Sequence, residues 1–547
     1  MIRKEILIIL AVVLFVTQVC CYGGPIIYVD KDANGYNDGA SWENAYPFLQ
    51  DALVDANSGD KPVEIRVAQG MYRPDRSSTE PNGTGDREAT FQLINGVSLK
   101  GGYAGFSTPD PNARDIGQYE TILSGDLNSD DAPNFANNGE NSYHVVTGSG
   151  TDETAVLDGF TITAGNANGK DGPPDYFNCG GGIFNGFNYA RPTLINCMFG
   201  GNSAEYGGAI LGAFSKIVNC TIKHNSARIG GGISSCWGSI TDCIISHNWA
   251  DRGGGVGDCE CLLTNCTISG NSAISDGGGI WCYERDLTVT NCTISGNTAK
   301  DKGGGIYFYF YGSIGQTVSN CTIIGNLALE GGCIYGSGST TTVSNCILWG
   351  NTAPTGPQVR RIGSVVYTDV QGGWGGLGNI DAEPMFVDLG RWVDANDPNI
   401  IVEPSDPNAA WIDGDYHLKS EGWRWDTKRK VWTWDDVTSP CIDAGNPGCA
   451  LGDELLSVPD DPNNVWGENL RINMGAYGGT AEASMALPGW ALLADLTNDR
   501  RVDFNDLEVF VEYWLDIGLC IPGDLNRNES VDFSDFGIMG FDWLEER

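Results

Sequence analysis

Three short phrases recur in step through the middle of this chain, and little else restricts its fold as strongly. The first appears as Asn196-Cys197-Met198-Phe199, Asn219-Cys220-Thr221-Ile222, Asp242-Cys243-Ile244-Ile245 and Asn265-Cys266-Thr267-Ile268, and again at Asn291-Cys292, Asn320-Cys321 and Asn345-Cys346. The cysteine-to-cysteine steps are 23, 23, 23, 26, 29 and 25 residues. A second phrase places Asn202, Asn225, Asn248, Asn271, Asn297, Asn326 and Asn351 at the same period. A third is Gly-Gly-Gly-Ile or close to it, ending at Ile183, Ile210, Ile233, Val256, Ile280, Ile306 and Ile334. Phrases locked to one period across residues 157–353 mark a repeat architecture.

Each unit holds short apolar alternations and many glycines, with no helical period, so helical repeats do not fit. The leucine ladder of leucine-rich repeats is absent, and the unit is too short for a propeller blade. Short strands coiled into a stacked solenoid do fit. Stacking puts the same position of every coil about 4.8 Å from its neighbour. The monotony then follows: the cysteines form one inward column, the Ile/Val residues another, and the asparagines a hydrogen-bonded column at a bend. Glycines mark bends and close approaches.

The pairing of "GGGI" with "NCTISGNSA", as at 277–280 and 265–273, resembles right-handed parallel β-helix proteins of the pectin-lyase-like superfold. In style it is most similar to large secreted bacterial proteins with polymorphic-outer-membrane-protein-like repeats. The resemblance implies an all-β chain, a right-handed parallel β-helix solenoid. The superfold carries lyases, hydrolases, epimerases, tailspikes and non-catalytic adhesins, so the fold leaves activity open.

With 547 residues and a formal net charge of −38, the chain lacks the basic footprint of a nucleic-acid partner and any polybasic membrane patch. Residues 1–23 read as a secretory signal: Arg3 and Lys4, then an apolar run at 6–16 too short to span a bilayer. Cys20 and Cys21 invite a lipoprotein reading, but Thr17-Gln18-Val19 lacks the small residues of a lipobox. No other stretch reads as membrane-spanning, so the mature chain is expected outside a bacterial cell or on its surface. Export permits disulfides. The repeat cysteines read as packed thiols, because parallel Cβ vectors suit a bridge poorly. Cys441 and Cys449 are the expected disulfide. Cys259 and Cys261 have no ligand pair at zinc spacing.

The β-helix is expected over 24–480. Phe48, Leu49, Ala52, Leu53 and Ala56 repeat at helical spacing, predicting an N-terminal cap helix at 47–57. Polar insertions near 72–90 and 125–142 interrupt the first coils. Within the second, Asp126-x-Asn128-x-Asp130 offers calcium-like spacing but lacks the later ligands, so it reads as a solvated loop. Residues 364–480 read as irregular closing coils, and 481–490 as a linker.

Residues 491–547 carry a duplication. Asp495, Thr497, Asp499, Arg501, Asp503 and Asp506 recur 29 residues later as Asp524, Asn526, Asn528, Ser530, Asp532 and Asp535. Oxygens at positions 1, 3, 5, 9 and 12, with a main-chain carbonyl at 7, suit Ca²⁺. Each loop leads into an apolar-periodic helix. The pair resembles a small all-α type I dockerin module. It departs from the standard EF-hand loop in two ways: an Asp closes it, and Arg500 and Glu529 replace the turn glycine. The resemblance implies a cohesin-like partner, met through Phe504, Asn505, Phe533 and Ser534, although the bulky Phe departs from the usual small polar pair.

Catalysis on this superfold needs clustered carboxylates with a base. The stripe preceding each glycine phrase supplies Asp251, Arg252, Asp276, Asp301 and Lys302, with Glu205, Arg228 and Glu330 beyond. Stacked in adjacent turns, Asp251, Asp276 and Asp301 would bind calcium and a uronate. A charged, solvated bend would read the same. The Asn-Thr-Asp, Asp-Asp and His-Gly-Gly signatures of polygalacturonase-like hydrolases are missing. After the glycines, Trp281, Tyr283, Tyr307, Tyr309 and Tyr335 alternate with apolar residues, which points one set outward to stack on sugars or to pack under a loop. His224 and His247 share one coil position and read as structural. Together these features predict a secreted protein that binds or processes polysaccharide, as a lyase or O-glycosyl hydrolase if an enzyme. A non-catalytic adhesin is the alternative.

Overall fold

The computed structural model describes residues 24–172, 176–186, 189–309, 315–337, 340–456 and 469–547. The signal reading at 1–23 lies outside the described residues. One coil shows how the phrases become structure. Thr193–Ile195, Met198–Gly200, Ser203–Tyr206 and Ile210–Ala213 are short strands. Each pairs in parallel with its counterpart one coil on: Leu194 with Ile217, Phe199 with Ile222, Ala204 with Ala227, Ile210 with Ile233. Repetition builds parallel sheets of 12, 11, 10 and 6 strands among the described residues. A one-residue slip would turn every inward side chain out, so the apolar columns fix the register.

The columns run down the interior. Leu157, Leu194, Ile217, Ile240, Leu263, Val289, Val318 and Val343 are one of them, all fully buried. The cysteines at 197, 220, 243, 266, 292, 321 and 346 are buried free thiols, packed as small apolar residues. The residue before each of them, Asn in six coils and Asp242 in the other, has φ between 49° and 55°. That left-handed bend is one that Asn and Asp tolerate better than other side chains, which accounts for the Asn-Cys phrase. From Asn202 to Asn351, each Nδ2 donates to Oδ1 of the next asparagine at 2.8–3.1 Å. From Asn225 on, each Oδ1 also accepts the main-chain N–H of the previous asparagine, as in Asn202 N to Asn225 Oδ1 at 3.0 Å, while Asn202 Oδ1 accepts from Gly165 N. Gln358 Oε1 closes the column on Asn351 at 2.8 Å.

Helix α1, Leu49–Ser58, buries Leu49, Ala52, Leu53 and Ala56 against the first coils. Coil pairing ends at Ser364–Val366 and Asp369–Val370. Beyond it the expected closing coils give way to antiparallel pairs: Arg391–Asp394 between Asp397–Ile401 and Ala409–Ile412, and Arg424–Asp426 with Val431–Thr433. These fold back along the solenoid flank. Trp411 lies over Gly296 and Gly325, where an added Cβ would meet its ring at 2.0 and 2.4 Å, and Trp392 Nε1 donates to the Gly325 carbonyl at 3.2 Å.

Residues 481–490 are no tether. Met485 pairs its main chain with Trp423 at 2.7 and 3.1 Å, and Ala483, Ser484, Met485 and Ala486 are buried. The cysteine expectation is corrected too. Cys449 is bonded to Cys520, 71 residues on in the helical module, while Cys441 is a free thiol donating to Asp369 Oδ2 at 3.2 Å. Sequence proximity failed because the two cysteines face opposite neighbours, one a solenoid carboxylate and the other the module. The module carries helices α2, Phe504–Glu512, and α3, Phe533–Asp542. Among the described residues, no helix is long and apolar enough to cross a membrane.

Candidate functional site

Register decides which charges meet. Gly253, Gly277 and Gly303 donate to the carbonyls of Asp276, Lys302 and Glu330 at 2.9–3.1 Å, so Arg252, Asp276, Lys302 and Glu330 share one column. Asp251, Ser275 and Asp301 form the column beside it, linked by main-chain bonds of 2.9 Å. The expected stack of Asp251, Asp276 and Asp301 is therefore corrected. Counting back from the aligned glycines, Asp276 occupies the place of Arg252 and Lys302. Lys302 pairs with Asp301 at 2.9 Å. Alternating charge neutralises this column, and the carboxylate clusters able to hold a metal lie elsewhere among the described residues. Asp276 is still unusual. Its Oδ2 accepts from Ser275 Oγ at 3.1 Å, its Oδ1 is buried with no hydrogen-bond partner, and its pKa is raised by burial and the Asp301 charge against Lys302 and Arg252.

The aromatic stripe lies on the outer face of the ten-stranded sheet. Phe184, Leu211, Ser234, Gly257, Trp281, Tyr307, Tyr335 and Arg360 are in register, one per coil. Trp281, Tyr307 and Tyr335 are only 4–7% exposed, so these three rings are packed rather than bare. Neighbouring rings cover their faces: Tyr307 stacks on Tyr335 at 5.4 Å, and Tyr283 on Tyr309 at 4.9 Å. Tyr283 remains exposed and Tyr309 half-buried.

The column breaks where Ser234 and Gly257 replace bulky residues. A Cβ at Gly257 would meet the Gly230 main chain at 2.6 Å, so glycine is required there. The break opens a cavity of about 260 Å³ lined by Tyr176, Tyr206, Leu211 and Ile229, by Trp281 opposite, and by Ser234, Ser235, Asp171 and Asp258. Two arginines brace its walls. Arg252 lies over Trp281 at 5.7 Å, while Arg228 lies over Tyr206 at 4.6 Å and pairs with Glu205 at 2.9 Å. Asp258 has φ +51°, stands 3.7 Å from Arg285 Nε and has a buried Oδ1 without a hydrogen-bond partner. Burial raises its pKa, with Arg285 pulling the other way. Sequence reading missed this slot. Its only signal is Ser-Ser and Gly-Asp standing where other coils carry rings, and that shows once the coils are aligned.

In the C-terminal module the two loops superimpose bond for bond. Asp495 accepts from Asp499 N at 3.2 Å and Arg500 N at 2.9 Å, while Asp506 accepts from Thr497 N at 3.0 Å and Asp503 N at 2.8 Å. Asp524 and Asp535 repeat this with Asn528, Glu529, Asn526 and Asp532 at 2.8–3.0 Å. Arg500 and Glu529 hold φ +71° and +70°, so the glycine conformation survives without the glycine. Asp495, Asp499 and Asp506 bring carboxylate oxygens within 4.8 Å of one another, and burial pushes the Asp495 pKa up to about 6 against Arg471. These are the oxygens a hard cation would satisfy. In the second loop Asn528 replaces one carboxylate. The Arg501 side chain turns outward to Glu546 at 2.6 Å, leaving its carbonyl as the ligand atom on offer. Phe504 and Phe533 are 74% and 79% exposed, each edge-on to the tryptophan of the other half: Trp543 at 5.3 Å and Trp514 at 5.0 Å. Asp503 and Asp532 cap the two helices, accepting from Asn505 N and Ser534 N at 2.8 and 2.7 Å.

A family model described as a right handed beta helix region matches residues 181–348. Among solved structures, the chain is similar to the crystal structure of pectate lyase Pel9A, at 12% identity and a TM-score of 0.43, over 83% of this chain and 96% of that one. No curated protein matches. The family match agrees with the coil geometry: a right-handed parallel β-helix.

Proposed function

We propose that this chain is an extracellular bacterial carbohydrate-binding protein that seats one sugar residue in the slot against Trp281. The slot carries the reading: a ring-sized gap in an aromatic column, with hydroxyl and carboxylate groups beside an apolar wall, suits a sugar's alternation of C–H faces and hydroxyls. Tyr283 and Tyr309 extend the stacking surface. Binding rather than cleavage is favoured because the charged column neutralises itself and offers no pair of free carboxylates. The single observation for an enzyme, a lyase or O-glycosyl hydrolase, is Asp258, a half-buried carboxylate with raised pKa lining the slot.

The C-terminal module is proposed to hold Ca²⁺ with Asp495, Thr497, Asp499, Arg501 through its carbonyl, Asp503 and Asp506, and with their counterparts from Asp524 to Asp535. It would meet a cohesin-like partner through Phe504, Asn505, Phe533 and Ser534. A polysaccharide array, with reducing ends measured on the same plates, tests the slot. Trp281→Ala should weaken binding by at least about tenfold, roughly 1.4 kcal/mol. Ser234→Tyr, which would carry the column across the gap, should abolish it. Cleavage lost in Asp258→Asn would instead establish the enzyme. No binding to any glycan would sink the carbohydrate reading.

A further inference from the structure

The insertion at 125–142 does not use the ligands its spacing suggests. Asp126, Asp131 and Glu140 come together, each presenting a carboxylate oxygen within 4.8 Å of the others. Asp130 does not join that trio, although it crowds Glu140. Arg73 and Arg87 pin the loop, yet they donate to the carbonyls of Asp126 and Asn141 and to Ser129 Oγ, each at 2.6 Å, rather than to these carboxylates. Three carboxylates thus share one small volume, and Arg73, which feels the Asp126 charge, spends its hydrogen bonds on a carbonyl and a hydroxyl rather than on them.

A second observation is independent of the acidic cluster. Asn141 is 1% exposed, its Oδ1 has no hydrogen-bond partner, and its Nδ2 donates to Asp131 Oδ2 at 2.9 Å. The amide therefore stands against the cluster, and a half-turn would exchange its nitrogen for its oxygen there. Glu140 Oε1 is likewise buried with no hydrogen-bond partner. Buried acceptors left without donors are uncommon in folded proteins and call for a missing partner. Here every unsatisfied atom is an oxygen, and the neighbouring groups are oxygens too. A hard divalent cation answers that set, and the irregular, loop-borne geometry suits Ca²⁺ better than the strict octahedron of Mg²⁺.

We infer that Asp126, Asp131, Glu140 and Asn141 form a calcium site that clamps the 125–142 insertion to the first coils. This site is separate from the C-terminal loops and does not depend on the carbohydrate reading. The test counts calcium per full-length chain by equilibrium dialysis and metal analysis. The proteins compared are the wild type, the double variant Asp131→Asn/Glu140→Gln, and Asp506→Ala/Asp535→Ala. The first double variant should bind one calcium fewer than the wild type, and combining all four changes should leave none. An unchanged count in Asp131→Asn/Glu140→Gln overturns the inference. A variant-free measurement guards against misfolding: limited proteolysis of the wild type with calcium or EDTA, with the cut sites mapped by mass spectrometry. Calcium should slow cleavage within 125–142 at least fivefold, magnesium should not, and equal cleavage with and without calcium also overturns it.

Discussion

Asn248 shows how much one side chain of the ladder does. It accepts from Asn225 N and Asn225 Nδ2 at 3.0 Å, and donates to the Ile222 carbonyl at 2.9 Å and Asn271 Oδ1 at 3.0 Å. Replacing it by alanine strands buried groups on both sides, so Asn248→Ala should cost about 3 kcal/mol in urea unfolding. A solvent-facing control such as Lys223→Ala should change little. His417 sets a pH dependence. It is fully buried between Asp415 at 2.7 Å and Glu482 at 3.3 Å, with its ring on Tyr477. Burial alone would lower its pKa, but the two carboxylates outweigh burial and raise it. A group with a raised folded pKa adds stability that is complete below its unfolded value, about 6.5, and is lost as pH climbs through the folded value. Above about pH 6.5, wild-type urea midpoints should therefore fall more steeply with rising pH than those of His417→Gln. Equal slopes for the two proteins would reject this account.

At the scale of elements, the calcium-type loops carry a testable strain. Glu529 is exposed, holds φ +70° and occupies the position where a glycine is usual. A left-handed residue with a Cβ costs about 1–2 kcal/mol, so Glu529→Gly should stabilise the module by about 1 kcal/mol after the entropy of glycine is counted. The shift of the module's melting transition in calcium reads this directly. The repeating coils were legible in the chain because each column obeys one physical demand: left-handed φ at Asn219, burial at Ile222, a satisfied amide at Asn225. The paired loops were legible too, since Asp495 to Asp506 recurs 29 residues on as Asp524 to Asp535. The slot was not. Ser234, Gly257 and Trp281 do follow the aligned Ile233, Val256 and Ile280 in the chain, but that the gap stays open depends on how Tyr176, Tyr206 and Ile229 pack around it. The antiparallel pairs at 391–433 were hidden too. Their tryptophans pack on the glycines at Gly296 and Gly325, a contact with no local signature.

For the whole molecule, the solenoid's last coils and the helical module make one body. Arg471 is buried at their junction, donating to the Gly445 carbonyl at 2.7 and 3.0 Å and to the Asp495 carbonyl at 2.8 Å. The fourth residue of each loop reaches back as well. Asn498 donates to the Gly378 and Ala444 carbonyls at 2.6 and 2.7 Å, and Arg527 to those of Pro447 and Leu470 at 3.0 and 2.7 Å. Tyr367, fully buried, donates to the Leu496 carbonyl at 3.0 Å. Deleting residues 491–547 should uncover Tyr367 and Arg471, lower the melting temperature by about 5 °C or more, and produce self-association visible by light scattering.

That junction also changes what the module can do mechanically. A flexible tether of ten residues lets its two ends wander about 18 Å apart on average, and whatever hangs from it points in every direction. Here the wandering is gone. The disulfide between Cys449 and Cys520 and the buried guanidinium of Arg471 fix the bearing of the module against the solenoid axis. Anything gripped at Phe504 and Phe533 is thereby set at a constant angle to the slot beside Trp281. With both proposed sites occupied, the molecule would be a strut with two fittings: a pull on one end would reach the other through stacked coils rather than through slack chain.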